Sequence, residues 1–178
     1  MPIRELNLYE LKEKSYVPSK RMSDFLSEAA SVCLENQNHS QGVELKVTGA
    51  LEGNIQLSWE ETTQQIRDNW SDLQEATEYG ATCIAILLLQ EMTDLKVIRR
   101  SPKGTGFDYW LGNKKDNDFP FQEKAVLEVS GILKGTPSQV NQRLKEKMIQ
   151  TEQSDDLKLP VYVIVVEFST PVCKIAIK

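Results

Sequence analysis

GFDYWLG (residues 106–112) and KAVLEVSGI (residues 124–132) are the two stretches that decide the fold. With KVIRRS (residues 96–101) ahead of them they read as three consecutive strands, separated by turn-forming segments at 101–106 and 113–120. Side chains alternate along a strand, so Asp108 shares a face with Trp110, while Phe107, Tyr109 and Leu111 take the other. In the third strand Val126, Glu128 and Ser130 share a face. Antiparallel pairing of the second and third strands then sets Asp108 and Glu128 on the same side. Two carboxylates brought together call for a cation, which points to a metal-dependent site.

The segments around this unit predict an α/β fold. Thr136, with Pro137 behind it, caps a helix running to about Glu152, and the apolar run Val161 to Phe168 reads as a strand covered on both sides. The final stretch, Val172 to Ile177, reads as an edge strand. Upstream, Ser58 to Met92 traces one long helix, apolar nearly all round from Cys83 to Leu89, with Gly80 marking a close approach to the sheet or a break. Glu78 on that helix is better placed than Glu75 to lean over a sheet edge. Ser23 caps an amphipathic helix through Leu34, and Val43 to Trp59 alternates as a β-hairpin. Residues 1–21 show no firm periodicity and are expected to form an irregular or partly helical lead-in. The expected organisation is a mixed sheet flanked by helices over 60–178, carrying an N-terminal extension of helix and hairpin over 1–59.

Bulk composition narrows the function classes. A chain of 178 residues with 40% hydrophobic and 26% charged content is that of an ordinary globular domain, and its longest apolar run is far too short to span a bilayer. No membrane partner is expected. The amino terminus lacks the apolar core of a secretory signal, so a cytoplasmic location is expected. Cys33, Cys83 and Cys173 are widely spaced and read as buried hydrophobes, and His39 is the single imidazole, read as a solvated loop residue. Zinc sites and Ser-His-Asp or Cys-His catalysis are poorly served by that inventory.

Charge is unevenly spread. The net charge is −5, yet residues 96–147 hold 11 Lys+Arg against 6 Asp+Glu, a local excess of +5, whereas residues 1–95 carry −9. The basic excess coincides with the carboxylate hairpin and the helix after it, the pattern of a polyanion site. Arg99, Arg100, Lys103, Lys134, Arg143, Lys145 and Lys147 are the candidate nucleic-acid contacts, with a solvated charged face as the competing reading.

The order of helix with acid, strand, strand with Asp, strand with Glu, helix, apolar strand resembles the PD-(D/E)XK nuclease superfamily, the restriction-endonuclease-like fold, over about residues 60–168. Glu78, Gly106-Phe107-Asp108 and Leu127-Glu128-Val129-Ser130 carry the resemblance. It implies Asp108 and Glu128 as ligands of Mg²⁺ or Mn²⁺, Glu78 as an auxiliary ligand or base, and a lysine that orients water or stabilises the transition state. The motif lysine is Ser130 here. Lys103, Lys134, Lys145 and Lys147 are the candidates to supply its charge, Lys103 being placed in the catalytic set. The expected function is metal-dependent phosphodiester hydrolysis of DNA or RNA, by a nuclease or nuclease subunit. The alternatives are an inactive nuclease-like module that binds nucleic acid or a protein partner, a homodimer included, and an adaptor docking through residues 1–59.

Overall fold

The three strands that carry Asp108, Glu128 and their neighbours lie at one side of an eight-stranded mixed sheet, in a computed structural model that describes residues 4–178. In chain order the elements are β1 (Arg4–Asn7), α1 (Leu11–Lys14), α2 (Lys20–Asn36), β2 (Val43–Gly49), β3 (Gly53–Ser58), α3 (Gln64–Asn69), α4 (Leu73–Met92), β4 (Leu95–Arg100), β5 (Tyr109–Asn113), β6 (Ala125–Ile132), α5 (Pro137–Gln150), β7 (Val161–Glu167) and β8 (Val172–Ile177). The sheet runs β1-β3-β2-β8-β7-β6-β5-β4. β6 and β7 are parallel, joined through α5, and β4, β5 and β6 are antiparallel neighbours.

Strand alternation sorts the two faces. Leu127 and Val129 of β6 and Ile164 and Val166 of β7 join one buried cluster with the apolar residues of α2 and α4. Val126, Val161 and Val163 point the other way and pack with Phe107 against Leu144 and Met148 of α5. β7 is therefore covered on both faces, which explains its nearly unbroken apolar sequence. α4 is buried continuously from Cys83 to Gln90, where each fully enclosed leucine or isoleucine stabilises the fold by about 1.5–3 kcal/mol.

Several expectations are corrected. β8 is interior, paired with β7 on one side and with β2 in parallel on the other, so the N-terminal hairpin continues the same sheet across the expected boundary at residue 59. The lead-in is partly helical as expected, in a short 3-10 turn and α1, but it also supplies a strand that was not expected, β1, which pairs in parallel with β3. Residues 1–3 lie outside the described residues. α2 begins at Lys20 with Ser19 as its cap, and Ser23 is buried inside it with its hydroxyl donating to Pro18 O at 3.3 Å. The long helix breaks at residues 70–72, where Asp72 accepts from the backbone N–H groups of Gln74 and Glu75 to start α4. Gly80 does mark a close approach, but to α2: a Cβ there would sit 2.9 Å from Ala30 Cα. The approach of α4 to the sheet is made at Gly131, where a Cβ would lie 2.4 Å from Thr77 O. His39 is half-buried and its Nε2 meets Phe168 O at 2.8 Å. Among the described residues no helix is long and apolar enough to cross a membrane.

Candidate functional site

The sheet forks between β5 and β6. Their pairing covers only Tyr109 to Leu111 against Ala125 to Leu127, because the chain before Tyr109 is a turn with Gly104 and Gly106 at positive φ. The expected strand start at Gly106 thus moves to Tyr109, leaving Asp108 at the strand's mouth. Asp108 N still donates to Leu127 O at 2.9 Å, and Ser101 N to Asp108 O at 2.7 Å. β6 runs on to Ile132 with β7 at its side but without β5. An unpaired backbone N–H in such a fork needs an acceptor, and Asp108 Oδ2 takes that of Val129 at 2.9 Å. One residue beyond the Tyr109–Leu127 pair, Asp108 stands opposite Glu128.

Glu128 is 2% exposed. Its Oε1 accepts from Lys147 Nζ at 2.8 Å and from Gln150 Nε2 at 3.0 Å. Its Oε2 is buried and receives no donor, and the Asp108 carboxylate lies close enough to share a proton with Glu128. Burial first, and the facing Asp108 carboxylate second, raise the acid to about 7, against the opposing pull of Lys147. Like charges brought together away from water disfavour double ionisation. In the absence of a cation, this pair is a source of electrostatic tension.

Asp108 and Glu128 sit on the floor of a cleft of about 940 Å³. α4 supplies one wall with Thr77, Glu78 and Tyr79, beside Arg100 and Tyr109, and α5 supplies the other with Arg143, Glu146, Lys147 and Gln150. Arg143 Nη1 donates to Ser130 Oγ at 2.9 Å and to Gly131 O at 3.3 Å, so a guanidinium covers the serine that stands where the motif lysine was expected. α5 is aimed by its start: Thr136 and Gln139 form a reciprocal capping box with Pro137 in the first turn. Arg143, Lys147 and Gln150 then follow at steps of four and three, one stripe facing β6.

The donor set suits a hard divalent ion. Mg²⁺ takes oxygen ligands, keeps several waters and is commonly held by one or two carboxylates together with substrate phosphates. An orphaned buried Oε2 beside a second carboxylate matches that demand. A three-acid cage is not formed: among the described residues no group of three or more His, Cys, Asp or Glu lies close enough to hold a metal, and Glu78 is an exposed residue of the wall.

Of the other expected residues, Arg100, Arg143 and Lys147 line the cleft. Lys103, Lys134 and Lys145 are exposed and do not line it. Arg99 lies outside it too, paired with Glu123 and 5.1 Å from the Trp110 ring. Gln150 was missed by a reading that followed charge, and its signal was its place on the Arg143–Lys147 stripe. Comparison of the chain with family models, curated proteins and solved structures finds no match.

Proposed function

We propose that the chain is a metal-dependent nuclease or nuclease subunit of the PD-(D/E)XK type, hydrolysing phosphodiester bonds in DNA or RNA. The observation that carries this reading is the Asp108–Glu128 pair at the sheet fork, with one buried carboxylate oxygen unpartnered and a lysine on the other. Asp108 and Glu128 would hold Mg²⁺ or Mn²⁺, which when bound supplies Lewis-acid polarisation of the phosphate and a bound water of lowered pKa. Lys147 brings from α5 the positive charge that Ser130 lacks. Arg143 keeps guanidinium N–H groups beyond those engaged with Ser130 and Gly131, and with Arg100 across the cleft it holds the backbone phosphates without reading sequence.

The test is cleavage of single- and double-stranded DNA and RNA in Mg²⁺ or Mn²⁺. Wild type is expected to cut at least one of them, EDTA, Asp108→Ala and Glu128→Ala to abolish the cut, and Lys147→Ala to slow it on the order of 10²-fold. Adding Ser130→Lys to Lys147→Ala restores part of the rate if the charge has moved from the strand to the helix. A folded wild type that binds nucleic acid and cleaves nothing overturns the enzymatic reading and leaves the non-catalytic module.

A further inference from the structure

We infer that Gln150 is a positioning residue that fixes which oxygen of Glu128 meets the cation, and thereby favours small octahedral ions over Ca²⁺. The inference rests on the metal-centre reading and goes beyond it in assigning a selectivity device to α5.

The carboxamide of Gln150 is bound at both ends. Lys147 Nζ donates to its Oε1 at 3.0 Å, and its Nε2 donates to Glu128 Oε1 at 3.0 Å. The amide orientation follows from charge, since a flip would set NH₂ against the ammonium and a carbonyl oxygen against the carboxylate. Both donors from α5, Lys147 and Gln150, end on the same oxygen. That leaves Oε2 as the oxygen that receives no donor, beside the Asp108 carboxylate. Glu128 therefore presents a single oxygen to a ligand.

The mount is rigid. Gly106, at φ +86, lies so near the end of α5 that a Cβ on it would sit 2.8 Å from Gln150 O and 3.1 Å from Gln153 Cβ. The backbone carrying Gln150 is thus pressed against the turn two residues before Asp108. Movement of the α5 terminus and of the second carboxylate are tied together. Phe107, between them in sequence, is buried against Val126, Val161 and Val163 and holds the turn down.

Coordination chemistry gives this arrangement a consequence. Ca²⁺ takes six to eight oxygens in flexible geometry and readily accepts a carboxylate through both oxygens, whereas Mg²⁺ demands near-ideal octahedral geometry at shorter distance. A glutamate whose Oε1 is committed to α5 binds through one oxygen. Lys147 shares the hold on Oε1 and is itself steadied by Gln150 Oε1, so loss of the carboxamide removes one donor, loosens the other and opens Oε1 to the ion as well.

The test uses the intact protein without nucleic acid, titrating Mn²⁺ and Ca²⁺ by calorimetry at constant pH, with melting curves to verify folding. Gln150→Met is expected to weaken Mn²⁺ about 10–100-fold, the usual range for a residue supporting a metal ligand, and to shift the Mn²⁺/Ca²⁺ affinity ratio toward Ca²⁺. Gln150→Asn, one methylene too short to bridge, is expected to do the same and serves if the methionine variant does not fold. Wild-type affinities and an unchanged ratio in a folded variant overturn this inference while leaving the metal centre standing. A wild type that binds neither ion overturns the metal centre and this inference with it.

Discussion

Glu128 and Glu167 stand on adjacent parallel strands, point to the same face of the sheet, and are each 2% exposed. Their surroundings are opposite. Glu167 ends β7 where the chain turns, and its carboxylate accepts from Gly135 N at 3.1 Å, Ser169 N at 2.8 Å, Thr170 N at 2.9 Å and the Ser169 hydroxyl. Those donors belong to partly exposed turns after β6 and after β7, which the carboxylate ties together. Glu128 receives no backbone donor and faces a second carboxylate, with one oxygen unpartnered. The same residue type at the same exposure is in one place a structural clasp and in the other a carboxylate with an oxygen left without a donor. Burial alone distinguishes nothing here, and the supply of donors distinguishes everything.

The largest effect that sharpens this contrast is at Glu167. Replacing it by alanine removes the charged acceptor of three backbone N–H groups, a bond of that kind contributing about 1.5–3 kcal/mol before water replaces part of it at these partly exposed turns. Glu167→Ala is expected to lose about 3–5 kcal/mol in urea unfolding. A loss under about 1 kcal/mol would mean that water serves those turns equally well, and the clasp would lose its meaning.

Glu128 should show the reverse in EDTA. Its acid is raised from 4.5 to about 7 in the fold, so between those values the native state holds a proton that the unfolded state has released. The stability this proton brings is fully present below the unfolded value and is lost as pH rises through 7. Each pH unit separating the folded from the unfolded acid is worth about 1.4 kcal/mol, so the decline amounts to about 3 kcal/mol between pH 4.5 and 8. Glu128→Gln, which cannot ionise, should flatten this decline and at pH 8 be more stable than wild type by about 2 kcal/mol, while losing any cleavage. Parallel pH–stability curves for the two proteins would break the comparison.

The opposed pair was legible because its cause is local: two short alternating strands and a turn fix the register, and register fixes which carboxylates meet. What governs neighbours across the sheet was less so. Val172 to Ile177 fits an edge strand by its shortness and by Lys174 within it, yet Cys173 and Ile175 are buried because the strand is interior, with its partner β2 far earlier in sequence. Lys103 is near Asp108 in sequence but stays in an exposed turn, whereas Lys147 reaches Glu128 from a helix on the other side of a loop. Sequence proximity identifies the acids of this site, and only packing identifies its cation. Gln150, being neutral, left no trace in a tally of charge.

The smallest expected effect probes the lysine. Breaking a buried ion pair by removing one partner ordinarily costs about 3–5 kcal/mol, because a charge is left stranded. Glu128 escapes that fate by keeping its proton. Lys147→Met in EDTA at pH 6 is therefore expected to cost only about 1 kcal/mol, mostly for the lost hydrogen bonds to Glu128 and Gln150. Because Lys147 holds the acid down, its removal raises the acid further, and the decline in stability, which starts at the same unfolded value, continues to higher pH than in wild type. Melting curves from pH 5 to 9 measure both. A cost of several kcal/mol at pH 6 would show that Glu128 is ionised there and held by its lysine, which would make it a second structural carboxylate like Glu167, its charge balanced within the fold and not left for a cation at the fork.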